Sequence, residues 1–176
     1  MSVWGRRSTP ISSRRPTVIG TVLLAAILLA GCAAGAPTKE DTVQAAPTAE
    51  HQRRQAADSV EETMRRSGVD WDADQSDEYA QDCVLADGSA GALYNIVRTG
   101  AGVDDPEAVT KAVGTAWVAD GLKVEYSTDE MTSGAKRYLV NGGGGAVERI
   151  QFGAATTKTT MSGVSKCGTG DAADVG

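Results

Sequence analysis

Asp70-Trp71-Asp72-Ala73-Asp74 sets three carboxylates at alternate positions. Calcium takes oxygen ligands at that spacing, and an EF-hand loop opens in the same way. The match then ends. The sixth position needs Gly for the sharp turn and holds Gln75; the twelfth needs a bidentate Glu and holds Gln81. Asp70, Asp72 and Asp74 thus form a calcium candidate without its closing ligand, to be weighed against a solvated acidic loop. The next cluster, Gly142 to Gly145, has the composition of a phosphate cradle. Such a loop needs a following helix N-terminus and usually a Lys. A strand pattern follows instead, so a flexible hairpin tip is expected.

Acid–base and nucleophilic chemistry have few candidates. His51 is the only histidine, near the start of a predicted helix and expected to be exposed there. A Ser/His/Asp or Cys/His site would rest on it alone, and no Gly-x-Ser-x-Gly elbow is present. A carboxylate pair such as Glu125 with Glu148, on predicted neighbouring strands, could do acid–base work. Both sit at outward-facing positions, where surface charge is ordinary. The expectation is a non-enzymatic chain with no metal and no cofactor. A carboxylate-dependent hydrolase of the cell envelope is the alternative.

The elements that must position these residues read as follows. A helix opens at Pro47-Thr48, with Thr48 as N-cap and Glu50 in the first turn. Ala57, Val60 and Met64 make its apolar stripe, Glu61/Arg65 and Glu62/Arg66 its i, i+4 ion pairs, and Gly68 its stop. Residues 69–82 are acidic and irregular. A short strand at Val84-Leu85 and a turn near Gly88 lead to a β-rich run, Ala92 to Arg98. Asp105-Pro106-Glu107 opens a second helix, which buries Val109, Ala112, Val113, Ala116 and Trp117 and ends at Gly121. Strands follow at Leu122–Ser127, Lys136–Val140, Ala146–Phe152 and Thr156–Met161. Leu122, Val124 and Tyr126 alternate toward the core. The order predicts an α+β two-layer sandwich, an antiparallel sheet of four to five strands with two helices on one face. The other face carries Lys123, Glu125, Arg137, Arg149, Lys158 and several Thr. It suits an envelope protein or glycan partner.

The front of the chain has three parts. Arg6, Arg7, Arg14 and Arg15 come first, without an acid. Val18 to Ala30 is then almost wholly apolar, but short of the roughly 20 residues that a membrane span needs. Small residues close it. Leu29-Ala30-Gly31-Cys32 resembles the lipobox of bacterial lipoproteins at all four positions. The resemblance implies a diacylglyceryl group on the Cys32 thiol, cleavage before Cys32, and acylation of the new amino terminus, with palmitate as the expected chain. Two or three chains hold firmly where one is marginal. Ser13-Arg14-Arg15 also resembles a twin-arginine signal, but Pro16-Thr17-Val18 fits that pattern poorly, so Sec export is the default. Layout and Ala/Gly bias further resemble small lipoproteins of actinobacteria, which implies the outer face of the cell membrane and no particular activity.

With Cys32 assigned to lipid, the other two of the three cysteines form an even pair in an oxidising compartment. A Cys83–Cys167 disulfide is expected. Two free thiols at a metal or catalytic site would lack histidine partners. The leader holds four of the 17 bases and none of the 23 acids, so the chain from Cys32 carries 13 bases against 23 acids, a formal charge of −10. That disfavours nucleic acid and anionic lipid headgroups; the membrane partner is reached through lipid on Cys32. The expected organisation is a signal peptide over 1–31, a flexible tether over 32–47, one domain over 48–168 and a disordered tail over 169–176.

Overall fold

The computed structural model describes residues 46–174. The predicted leader, the Leu29–Cys32 motif and most of the predicted tether lie outside the described residues.

Helix α1 (Ala49–Ser67) starts where Thr48 caps it, its hydroxyl accepting from His51 N–H at 3.2 Å, and stops at Gly68, whose φ of 66° suits glycine. Its buried stripe is Ala49, Gln52, Ala56, Val60 and Thr63. Ala57 and Met64 of the predicted stripe pack only at its margin. Glu62 pairs with Arg66 as expected, but Arg65 also turns to Glu62 rather than to Glu61. Helix α2 (Pro106–Ala119) is capped by the Asp105 carboxylate, which accepts from Ala108 N–H at 3.0 Å. It buries Pro106, Thr110, Val113, Gly114 and Trp117, whereas Ala112, expected inside, is exposed.

The fold is α+β. The antiparallel sheet has six strands, not four to five: β1 (Trp71–Val84), β2 (Ala90–Ala101), β3 (Lys123–Glu130), β4 (Lys136–Gly144), β5 (Val147–Ala154) and β6 (Lys158–Ser165), in the spatial order β1-β2-β6-β5-β4-β3. The unexpected strand is β1: it runs over the stretch expected to be irregular and takes in Val84 of the expected short strand, leaving Leu85 outside. An edge strand is paired on one side only, and β1 is exposed along most of its length, so it needs no apolar alternation. Its backbone ladder with β2, Ser76 opposite Arg98 through Val84 opposite Ala90, defines it instead.

Register fixes the two faces. Ile96, Gly163, Ile150, Gly142 and Val124 stand opposite one another across five strands. Directly paired residues share a face, and this row lies beneath the helices. A Cβ on Gly163 would come within 2.7 Å of Val60 on α1, and one on Gly142 within 3.0 Å of Trp117 on α2. The two glycines let both helices settle on one face. Between them lies the main core, with Phe152, Met161, Val140 and Val147 fully or almost fully buried. A buried side chain of this size contributes roughly 1.5–3 kcal/mol. Trp71 meets Phe152 edge to face at 6.3 Å, and Trp117 donates its indole N–H to Thr63 at 2.9 Å. Tyr126, expected in the core, is on the helix side but 52% exposed; it lies over Gly114 at the rim of α2.

The Gly142–Gly145 loop also differs from expectation. Gly142 to Gly144 belong to β4, and only Gly145 and Ala146 separate it from β5. The described part of the tail, residues 168–174, is held, not frayed. Gly168 exchanges two backbone hydrogen bonds with Ala92, Thr169 bonds to Pro47 and Ala49, and Ala172–Asp174 forms a 3₁₀ turn. Among the described residues no helix is long and apolar enough to cross a membrane.

Candidate functional site: a polar trough on the uncovered sheet face

The face away from the helices carries the alternate set of residues. One row across it is Asp77, Val97, Ser162, Gln151, Asn141 and Glu125; a second holds Tyr79, Asn95, Val164 and Arg149. Toward the β4–β5 turn this face forms a trough of about 590 Å³. All six strands contribute, from Gln81 on β1 to Lys123 and Glu125 on β3, with Asn95, Asn141, Glu148 and Arg149 between them. Leu93 and Val164 are its purely aliphatic side chains. The register of β4 and β5 is interrupted at Gly142/Gly144 and at Val147/Arg149. Bulges of this kind bend a strand and increase its twist.

Two amide pairs cross the sheet. Asn95 Nδ2 donates to Gln81 Oε1 at 2.8 Å, and Gln151 Nε2 donates to Asn141 Oδ1 at 2.6 Å. Lys123, Glu125, Glu148 and Arg149 line the same trough, and among the described residues none lies within 4.0 Å of an opposite charge. On the same face but outside the trough, Arg137 and Asp129 form an ion pair. There the hydrogen bond to Arg137 holds the Asp129 carboxyl below its ordinary range and raises the guanidinium in turn.

Glu125 and Glu148 thus line one trough, but both are exposed, without an apolar enclosure. Asp70, Asp72 and Asp74 lie at the bulged start of β1. Asp72 Oδ1 accepts from Asp74 N–H at 3.0 Å, and all three residues are exposed. Among the described residues no three His, Cys, Asp or Glu side chains come together as metal ligands. His51 is exposed in the first turn of α1. Cys83 and Cys167 form a disulfide with Cα atoms 6.0 Å apart, joining β1 to the segment after β6. A Cβ on Gly91, opposite Cys83, would lie 3.0 Å from Cys167 Sγ, so the bridge sits directly on backbone. Cys32 lies outside the described residues.

Sequence reading missed the amide pairs and one cluster on the helix side. Asn95 and Asn141 interrupt β-rich runs, which is a signal, but Gln81 and Gln151 are found only through register. In the second cluster Glu78 takes both Arg53 from α1 and Arg98 from β2, next to Tyr94. The Glu78 hydrogen bond raises the Arg53 guanidinium, while burial, reinforced by Glu50, pushes the Tyr94 phenol up. This cluster ties α1 to the edge of the sheet.

No family model, curated protein or solved structure matches this chain.

Proposed function

We propose that this chain is a lipoprotein anchored through Cys32 on the outer face of the cell membrane, and that its domain is a non-enzymatic binding module of the envelope. Its uncovered sheet face is the binding surface. The observation that carries the reading is the trough: one surface drawn from six strands, with amide and charged groups that have no partner among the described residues and are open to an outside one. The lipobox resemblance supports the anchor, and the pairing of the two remaining cysteines fits an oxidising compartment. Two measurements test it. Cys32→Ala should move the protein from the membrane to the soluble fraction; retention in the membrane refutes the anchor. A photo-crosslinker at Val97, on the uncovered face, should capture envelope material that one at Glu61 on α1 does not; equal or absent capture refutes the binding surface.

One observation favours carboxylate hydrolysis as a second reading: Glu125 and Glu148 share the trough. Purified protein incubated with envelope glycan should then release soluble fragments, and a Glu125→Gln, Glu148→Gln double variant should not.

A further inference from the structure

The lining of the trough, with Gln151 at its margin bonded to Asn141, points to the chemistry of its occupant. A primary amide offers two N–H donors and a carbonyl with two lone pairs. The Gln81–Asn95 and Asn141–Gln151 pairs each use one donor and one acceptor between themselves. Each therefore retains a whole NH₂ group, on Gln81 and on Asn141, whose carbonyl is already engaged. Each also retains a carbonyl, on Asn95 and on Gln151, with no donor among the described residues. One unengaged amide donor and one unengaged amide acceptor, side by side, complement a secondary amide.

Charge narrows the choice further. The four trough charges, two of each sign, sum to zero. Around them the described chain is strongly acidic, with 21 acids against 12 bases over residues 46–174. A polyanion is repelled by such a domain. An apolar small molecule finds only Leu93 and Val164. The core of a protein interface is depleted of charge and enriched in aromatic residues, whereas the trough has four unpaired charges and no aromatic lining. Neutral hydroxyls suit unpaired charges, because they accept or donate charge-assisted hydrogen bonds without adding a net charge. One amide pair spans β1 and β2 and the other β5 and β4, so their centres lie three strand spacings apart, about 14 Å across the sheet. One occupant reaching both is a chain, not a single ring.

We propose that the trough binds a neutral glycan strand bearing N-acetyl groups, its acetamides on the Gln81–Asn95 and Asn141–Gln151 pairs and its hydroxyls on Lys123, Glu125, Glu148 and Arg149. This rests on the reading of the uncovered face as a binding surface and names what it binds. The test is isothermal titration of the detergent-solubilised full chain with chitotetraose, and with maltotetraose, which lacks acetamides. Chitotetraose should bind and maltotetraose should not. Asn95→Ala with Asn141→Ala should weaken chitotetraose by about tenfold at an unchanged melting temperature, while Lys111→Ala, on α2 and outside the trough, should leave it unchanged. Equal affinity for the two sugars overturns the proposal, as does an unchanged affinity in the amide double variant. No chitotetraose binding alongside protein capture from Val97 also overturns it, yet leaves the binding surface standing. No binding and no capture ends both.

Discussion

Asn141 and Gly142 are neighbours on β4 and answer to opposite sides of the sheet. Gly142 is under the helices, where Trp117, Leu122 and Ile150 all approach the place its Cβ would occupy. Asn141 is on the uncovered side, where its carbonyl takes Gln151 and its NH₂ group has no partner among the described residues. The same alternation repeats on β6, with Gly163 beneath Val60 and Ser162 facing out. On the covered side, shape decides the residue, and the smallest one is demanded wherever a helix comes closest. On the uncovered side no helix presses on the sheet, so volume is restricted only locally, as where a Cβ on Gly153 would come within 2.7 Å of Leu139, and hydrogen-bonding capacity decides the rest. Stability is therefore concentrated on one face, leaving the other free to vary in chemistry.

This contrast can be broken by experiment. Phe152→Ala empties the centre of the covered side and should cost about 3–5 kcal/mol, whereas Gln151→Ala, one residue away, should cost under about 1 kcal/mol. Urea unfolding gives both, and comparable losses would abolish the distinction. Cys83 is the exception on the uncovered side. Replacing Cys83 and Cys167 together by Ser opens a closure of 84 residues, and the chain-entropy relation gives a loss of about 4 kcal/mol. A shift of the urea midpoint near zero would mean that the C-terminal segment holds without it.

Gly163→Ala should cost about 1–3 kcal/mol through overpacking against Val60, against about 0.5 kcal/mol or less for Ser162→Ala; thermal melts of the two variants check the difference. The smallest effect is electrostatic. The Asp129 carboxyl is lowered by its Arg137 hydrogen bond, so the folded state holds this proton less firmly than the unfolded one. Its contribution is present above the ordinary aspartate value of about 4 and fades as pH falls toward the lowered one. Asp129→Asn should flatten the acid limb of the stability curve slightly and leave neutral pH almost unchanged. An unaltered limb would show the pair to be idle.

The helices were legible from their ends, because capping is local. Thr48, Asp105 and Gly68 act within a few residues of themselves and need no knowledge of the fold. The inner strands were legible where they alternate. β1 was not, since Asp72 to Asp77 are exposed and their strand state comes from a partner distant in sequence. Gly142 was misread for a related reason. Glycine favours turns by local preference, but here the demand comes from a tryptophan on another element. Glu125 and Glu148 were recognised as outward-facing, whereas their place in one trough depends on the spatial strand order. The amide pairs, too, are made by register.

The bond between Cys83 and Cys167 has a mechanical consequence. The chain enters the domain at Pro47 and Ala49, hydrogen-bonded to Thr169, two residues beyond the bridge. Tension arriving from either end of the chain therefore meets the other end first. Once those bonds part, the pull travels through a covalent link that bypasses 84 residues. At about 3.5 Å per extended residue, roughly 290 Å of contour length stays out of reach of the pull. Strands β2 to β6 lie wholly inside that closed loop. Stretched by its ends, the domain would lose α1 and most of β1 and then stop lengthening, with five of its strands shielded from the load.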